Sequence, residues 1–283
     1  MTPSTSQLDR SLIRRRVIFS SVFALATLWV LPACDRKQEP TQQAATSQES
    51  APVKTGHESV TRTELASAGI PSGREKPHVF KLMNVTLPPG ETMSYAGAER
   101  LVFQISGSQS VTVDNQETTL KPHKGMRIET GMPATFSTQG EQPSQSLHYL
   151  LVPEPQADRS INIRAGEMSQ IYRNQAPITW SPDKEQVLSL AQLTFLPSTP
   201  MTAPHYRTGA ALYYVLSGTG QFSTNGTTEE KAAGSVIYEP SGVLHQWANP
   251  GTELLTLVVA NVAVQGEPAI RFDTAQLETG PSQ

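Results

Sequence analysis

Gly234-Ser-Val-Ile-Tyr-Glu-Pro240-Ser-Gly242-Val-Leu-His245-Gln-Trp-Ala-Asn249 spells out a strand, a corner and a returning strand. Gly234 and Gly242 permit the positive φ that tight turns require, and Pro240 fixes a rigid corner between them. Val236 and Tyr238 alternate as a half-buried strand does. Past the corner, His245 begins the returning strand, and Trp247, two residues on, shares its face. A histidine in an apolar strand is ordinarily a packed core residue; here the fixed corner gives it a direction, towards the inside of a barrel.

At each fixed position the stretch resembles the second signature motif of the cupin superfamily: Gly, five residues, Pro-x-Gly, two residues, His, three residues, Asn. Upstream, Ala210-Ala-Leu-Tyr-Tyr-Val-Leu-Ser-Gly218-Thr-Gly220 resembles the end of the first cupin motif, His-x-His, three or four residues, Glu, six residues, Gly. Counting back from Gly218 puts Ala211 at the glutamate position, Arg207 at the second histidine and His205 at the first. The resemblance implies an all-β jelly-roll barrel (a double-stranded β-helix) and a divalent metal, iron, manganese, nickel or zinc, on His205 and His245. The departures from the motif oppose that metal. Two imidazoles hold a divalent ion weakly, and the permanent charge of Arg207 repels one. A guanidinium instead suits a carboxylate or phosphate. The ligand-binding set read from the sequence is His205, Arg207, Tyr214, Tyr238, His245 and Trp247, with the three aromatic residues as walls. Glu239 is the nearest acid in the chain, and no facing is assigned to it.

The same layout occurs earlier. Arg100-Leu-Val-Phe-Gln-Ile-Ser-Gly107 and Gly125-Met-Arg-Ile-Glu-Thr-Gly131-Met-Pro133-Ala-Thr-Phe136 parallel the later segments, with Gly107 lying 111 residues before Gly218 and Gly125 109 before Gly234. Nearly equal offsets signal an internal repeat. The reading is therefore two tandem barrels. In the first, Ser94, Ala96 and Arg100 stand at the first-motif ligand positions and Phe136 at that of His245, so no cupin metal set exists there. That barrel is expected to be structural, closing the sheet edges of the second.

Composition agrees with a β architecture. The chain carries 19 Gly and 22 Pro, many of them between short apolar runs such as Tyr213-Tyr-Val-Leu and Leu254-Leu-Thr-Leu-Val-Val. Thr63-Glu-Leu-Ala-Ser-Ala is the one short helix candidate. A formal net charge of −3 argues against nucleic acid as a partner.

At the N-terminus, Arg14-Arg-Arg16 precedes the apolar run 17–31 and then Pro32-Ala-Cys34, the pattern of an export signal. Leu31-Pro-Ala-Cys34 resembles a bacterial lipobox, in which Cys34 becomes the lipid-bearing first residue of the mature protein. It is the single cysteine of the chain. Asp35 resembles an inner-membrane retention signal, implying an anchor on the periplasmic face. The domain reading is a signal peptide over 1–33, a flexible polar tether over 34–76, a first barrel over 77–155, a connector over 156–184 and a second barrel over 185–264. A tail follows over 265–283. Connector segments Ile171-Tyr-Arg-Asn and Ile178-Thr-Trp180 are expected to cross onto the other barrel. Three functions fit: a membrane-anchored module binding a small polar or anionic molecule, a metal-dependent cupin enzyme of dioxygenase, isomerase or lyase type, or a non-catalytic envelope component. A homodimer is compatible with each.

Overall fold

The computed structural model describes residues 59–72, 76–161, 163–178 and 183–273, together with the backbone of Val53–Lys54. The lipobox, most of the segment read as a tether, and Trp180 lie outside the described residues. The chain opens with β1 (Val53–Lys54) and β2 (Val60–Ile70). In the first barrel, β3 (His78–Leu87), β5 (Glu99–Ser106), β8 (Gly125–Ile128), β10 (Ser144–Pro153) and β11 (Glu167–Arg173) make a five-stranded sheet in the order β11-β3-β10-β5-β8. Against it lies a four-stranded sheet, β4-β9-β6-β7, from β4 (Thr92–Tyr95), β6 (Ser108–Val113), β7 (Gln116–Leu120) and β9 (Ala134–Gln139). In the second barrel, β12 (Gln186–Phe195), β14 (Ala210–Ser217), β17 (Val236–Glu239) and β19 (Leu255–Val264) join β1 and β2 in a six-stranded sheet. The opposing five-stranded sheet is β16-β15-β18-β13-β20, from β13 (His205–Arg207), β15 (Thr219–Thr224), β16 (Thr227–Ala232), β18 (His245–Ala248) and β20 (Ile270–Phe272). The fold is all-β, two tandem jelly rolls.

Each barrel has its own apolar interior, around Val85, Met93 and Phe136 in the first and Ala211, Phe222 and Trp247 in the second. A third cluster joins them. Phe80, Leu101 and Tyr149 of the first barrel pack against Leu188, Leu212 and Val262 of the second. The barrels therefore meet face to face, sheet on sheet, and not at strand edges as the sequence suggested. Large apolar side chains gain more from a sheet face than an edge can offer, about 1.5–3 kcal/mol for each one fully buried. The Tyr149 hydroxyl donates across the interface to Val258 O at 3.1 Å.

Three sequence expectations need correction. Val60–Ile70, read as tether and partly as helix, is a strand paired with β12 along its whole length, from Val60↔Phe195 to Ile70↔Gln186. Its polar side chains lie on the partly exposed face of the sheet edge, which conceals the strand from a search for apolar runs. The connector does not cross over: β11 pairs with β3 of the first barrel, and Ile178 bridges His78 there. Residues beyond 264 include β20, which covers β13 at the edge of the second barrel.

The repeat is real but its register is a constant 111 residues through the strands that matter. Arg100 faces Ile128 as Ala211 faces Glu239, and His123 N–H donates to Gln104 O at 2.9 Å as Gly234 N–H donates to Val215 O at 2.9 Å. His123, with φ of 62°, is thus the counterpart of Gly234, and Gly125 the counterpart of Val236. Gly125 is needed for a different reason. A Cβ there would come within 2.6 Å of Leu190 Cδ2 and 3.0 Å of Leu65 Cβ, both of the second barrel. Phe136 consequently corresponds to Trp247, each lying opposite the matching residue of the neighbouring strand, Val111 and Phe222. The counterpart of His245 is Ala134, and across the ladder the residue that pairs as His205 does is the buried Tyr95, one residue out of the 111 register. Ser94 and Ala96 are exposed, on the outer side of the barrel.

Candidate functional site

The corner Pro240-Ser-Gly242 seats itself on β13. Gly242, at φ of 75°, donates its N–H to Arg207 O at 2.9 Å, and Ser241 Oγ donates to Thr208 O at 3.1 Å. The returning strand then pairs His245 directly with His205. Their imidazoles lie 4.4 Å apart between centroids at an interplanar angle of 67°. Each Nδ1 meets a carbonyl two residues back, Ala203 O at 2.8 Å and Val243 O at 3.0 Å, so Nδ1 of each ring carries a proton, and on His205 Nε2 is left as an acceptor. Burial, reinforced by the neighbouring His245, pushes His205 down to about 4. Asn249, the last motif residue, clamps the turn beyond: its Nδ2 donates to Glu253 O at 2.7 Å and Leu196 O at 3.0 Å.

Glu239 is the centre of the cluster. Its Oε2 accepts from Arg207 Nε at 2.9 Å and its Oε1 from Trp247 Nε1 at 3.1 Å, while Arg207 Nη2 donates to the Tyr213 hydroxyl. Burial alone would raise the Glu239 carboxyl, but the Arg207 guanidinium, together with His245 and these hydrogen bonds, holds it below the usual carboxylate range. His245 Nε2 also lies 3.0 Å from Oε2, an ion-pair distance within the buried cluster. Ala211, where the resemblance expects a glutamate, is the direct cross-strand neighbour of Glu239. The carboxylate has changed strands and occupies the space the alanine leaves free.

His205, Arg207, His245 and Trp247 are therefore brought together. Tyr214 and Tyr238 are not: both pack against the cluster between the barrels. The correct wall is Tyr213, inside the second barrel with its ring 5.7 Å from Trp247. Alternation decides this, since Tyr213 is two residues from the inward Ala211 and Tyr238 one from the inward Glu239. Counting from Ala211 would have found Tyr213. Asn261, which also reaches the site, carries no motif signal at all.

Above the cluster lies a cavity of about 320 Å³. Its walls are mostly apolar, among them Leu193, Phe195, Val259 and Phe272, and its polar groups include His205, Arg207 and Asn261. Asn261 is buried, and its Oδ1 has no hydrogen-bond partner.

The donor set does not fit a divalent metal. Among the described residues Glu239 is the carboxylate beside the two imidazoles, and both of its oxygens are engaged by N–H donors of Arg207 and Trp247. The guanidinium already supplies the positive charge that a metal would bring. Among the described residues no three His, Cys, Asp or Glu side chains converge as a metal site.

Residues 191–261 match the family described as Cupin_2, a cupin domain, and this stretch contains β14 to β18 and every motif residue of the site. The second barrel is a cupin domain. Solved structures extend the likeness to both barrels. The two barrels are similar to those of oxalate decarboxylase from Lactobacillus farciminis, in its formate complex, at 15% identity and a TM-score of 0.52, covering 80% of this chain and 87% of that one. Oxalate decarboxylase from Bacillus subtilis matches at 15% identity and a TM-score of 0.51, covering 79% and 76%. At this identity the likeness shows the fold alone. No curated protein sequence matches the chain significantly.

Proposed function

We propose that the cupin domain is a binding module for a small organic molecule with an apolar body and a polar end, carried by a protein anchored to the cell envelope. The observation that carries this is the unsatisfied Oδ1 of Asn261, a residue lining a mostly apolar cavity. Buried acceptors are rarely left unpaired, so a hydroxyl or amide donor from a ligand completes the site. Read from the sequence, Arg207 is an anchor for anions. Because Glu239 already balances its charge, the fit is better to a neutral polar end than to an anion.

The test is calorimetric titration of the full chain with a panel of small phenols, alcohols, amides and carboxylic acids. Asn261→Leu, close in shape, is expected to weaken donor-bearing ligands by about 1–3 kcal/mol, the cost of an unmade buried hydrogen bond, and to leave apolar analogues unchanged. If no compound saturates, or the variant binds every ligand as wild type does, the reading fails.

Location follows from Leu31-Pro-Ala-Cys34, and we take the protein to be held by lipid on Cys34 at the periplasmic face of the inner membrane. Among the described residues no helix is long and apolar enough to cross a membrane. Wild type is expected in the membrane fraction with incorporated lipid label, and Cys34→Ala is expected to lose the label. Membrane association unchanged in the variant, with no label in wild type, would instead point to an uncleaved apolar segment.

A further inference from the structure

The first barrel turns a lysine inward, onto a cavity that no acid lines. Lys81 stands on β3 between Val79 and Met83, and alternation puts it on their face, towards the barrel interior. It is 6% exposed. Its ammonium donates to Ala157 O at 2.9 Å and, at the longer distance of 3.5 Å, to Arg159 O, which leaves one proton to give. Asp158, between those two carbonyls in the chain, is 89% exposed at its side chain and held by Arg173, and it lines a neighbouring cavity instead. Burial, with the Arg173 guanidinium close by, lowers the Lys81 ammonium from its ordinary value, and Asp158 offsets this only in part. A buried charge is costly until an opposite charge is bonded to it.

The cavity has a volume of about 400 Å³. Lys81, Arg159 and Ser160 are among its polar groups, and Leu150, Val152 and Ile161 among its apolar ones. The repeat relates it to the cavity of the second barrel. Tyr95, which lines it, pairs with β9 as His205 pairs with β18, and Leu150 faces Arg100 as Asn261 faces Ala211. The charges differ between the two. Arg207 is balanced by Glu239, whereas Lys81 and Arg159 line their cavity without an acidic residue. Arg159 is exposed and has no ion-pair partner among the described residues.

We propose that the first barrel binds a small organic carboxylate, its head on Lys81 Nζ and the Arg159 guanidinium and its carbon body against Leu150 and Val152. Two cations of one sign at a sheltered opening draw anions in. The carboxylate accepts the remaining ammonium proton in a charge-assisted hydrogen bond. The apolar lining favours a carbon body over an inorganic anion.

The full chain is titrated calorimetrically with butanoate, hexanoate, benzoate and inorganic phosphate. At least one carboxylate is expected to saturate, more tightly than phosphate and less tightly as salt is raised. Lys81→Met, which keeps the length and removes the charge, is expected to weaken that carboxylate about tenfold or more, as for a hydrogen bond to a charged group. Arg159→Gln, at an exposed position, is expected to weaken it about two- to fivefold. Three results overturn the proposal: no carboxylate saturates, phosphate binds best, or carboxylate affinity is unchanged in both variants, as a ligand held by the second barrel would show. Should Lys81→Met fail to fold, Arg159→Gln decides: weakened binding supports the site, and unchanged binding refutes it.

Discussion

Glu239→Ala is expected to destabilise the protein by about 3–5 kcal/mol, the range seen when one partner of a buried ion pair is removed. The substitution strands the Arg207 guanidinium, 10% exposed at its side chain, and leaves Trp247 Nε1 without its acceptor. Most of the loss comes from the orphaned charge, so removing both charges should recover it. Arg207→Met combined with Glu239→Leu is expected to be more stable than Glu239→Leu alone by a few kcal/mol, since well-packed apolar pairs replace buried ion pairs at little cost. Urea denaturation measures all three variants, and a double variant no more stable than the single one would show that the pair contributes nothing. Wild-type stability should also fall in acid. The folded pKa of His205 is depressed to about 4 from an unfolded value of about 6.5, so its contribution is present above pH 6.5 and is lost as the unfolded chain takes up the proton below it. The depressed Glu239 carboxyl adds to the loss at lower pH still, when it too must be protonated.

Arg207→His is expected to convert the cluster into a metal site. It removes the cation that occupies Glu239 and places a third imidazole between His205 and Glu239, giving three histidines and a carboxylate. No glutamate need be restored at Ala211, because the carboxylate already arrives from across the ladder. Affinity for zinc or manganese should rise by at least about 10–100-fold over wild type, the range carried by a single supporting group in metal sites. The metal-free variant should melt below wild type, with Glu239 deprived of its partner, and metal at a hundred times its Kd should return about 2.7 kcal/mol. Metal retained after dialysis and the melting curve are the two readouts. Equal retention by wild type and variant would show that Arg207 does not exclude the ion, and would return metal chemistry to the native site.

The sequence by itself determined what depends on local geometry. Gly234, Pro240 and Gly242 restrict the backbone to a strand, a corner and a return, and that corner alone aims His245 inward. Spaced glycines also revealed the repeat. At Gly107 and Gly218 a Cβ would lie 2.9 and 2.5 Å from a carbonyl oxygen of the adjoining strand, a constraint that only glycine meets in both barrels. Single-residue facing is harder to read: on a strand buried on both faces the apolar pattern does not separate Tyr213 from Tyr214, and only the count from Ala211 does.

Tertiary structure decided whatever joins residues remote in the chain. The recruitment of Val60–Ile70 into the second barrel depends on a ladder with β12, more than a hundred residues away, and its own side chains carry little apolar signal. The role of Glu239 depends on register: it faces Ala211 across a ladder, and a motif count along one strand sees the missing glutamate but not its replacement on the next. The same count sees Arg207 and Arg100 as similar inward cations. Only the packed structure shows that Arg207 is bonded to a carboxylate, whereas Nε and Nη1 of Arg100 have no hydrogen-bond partner.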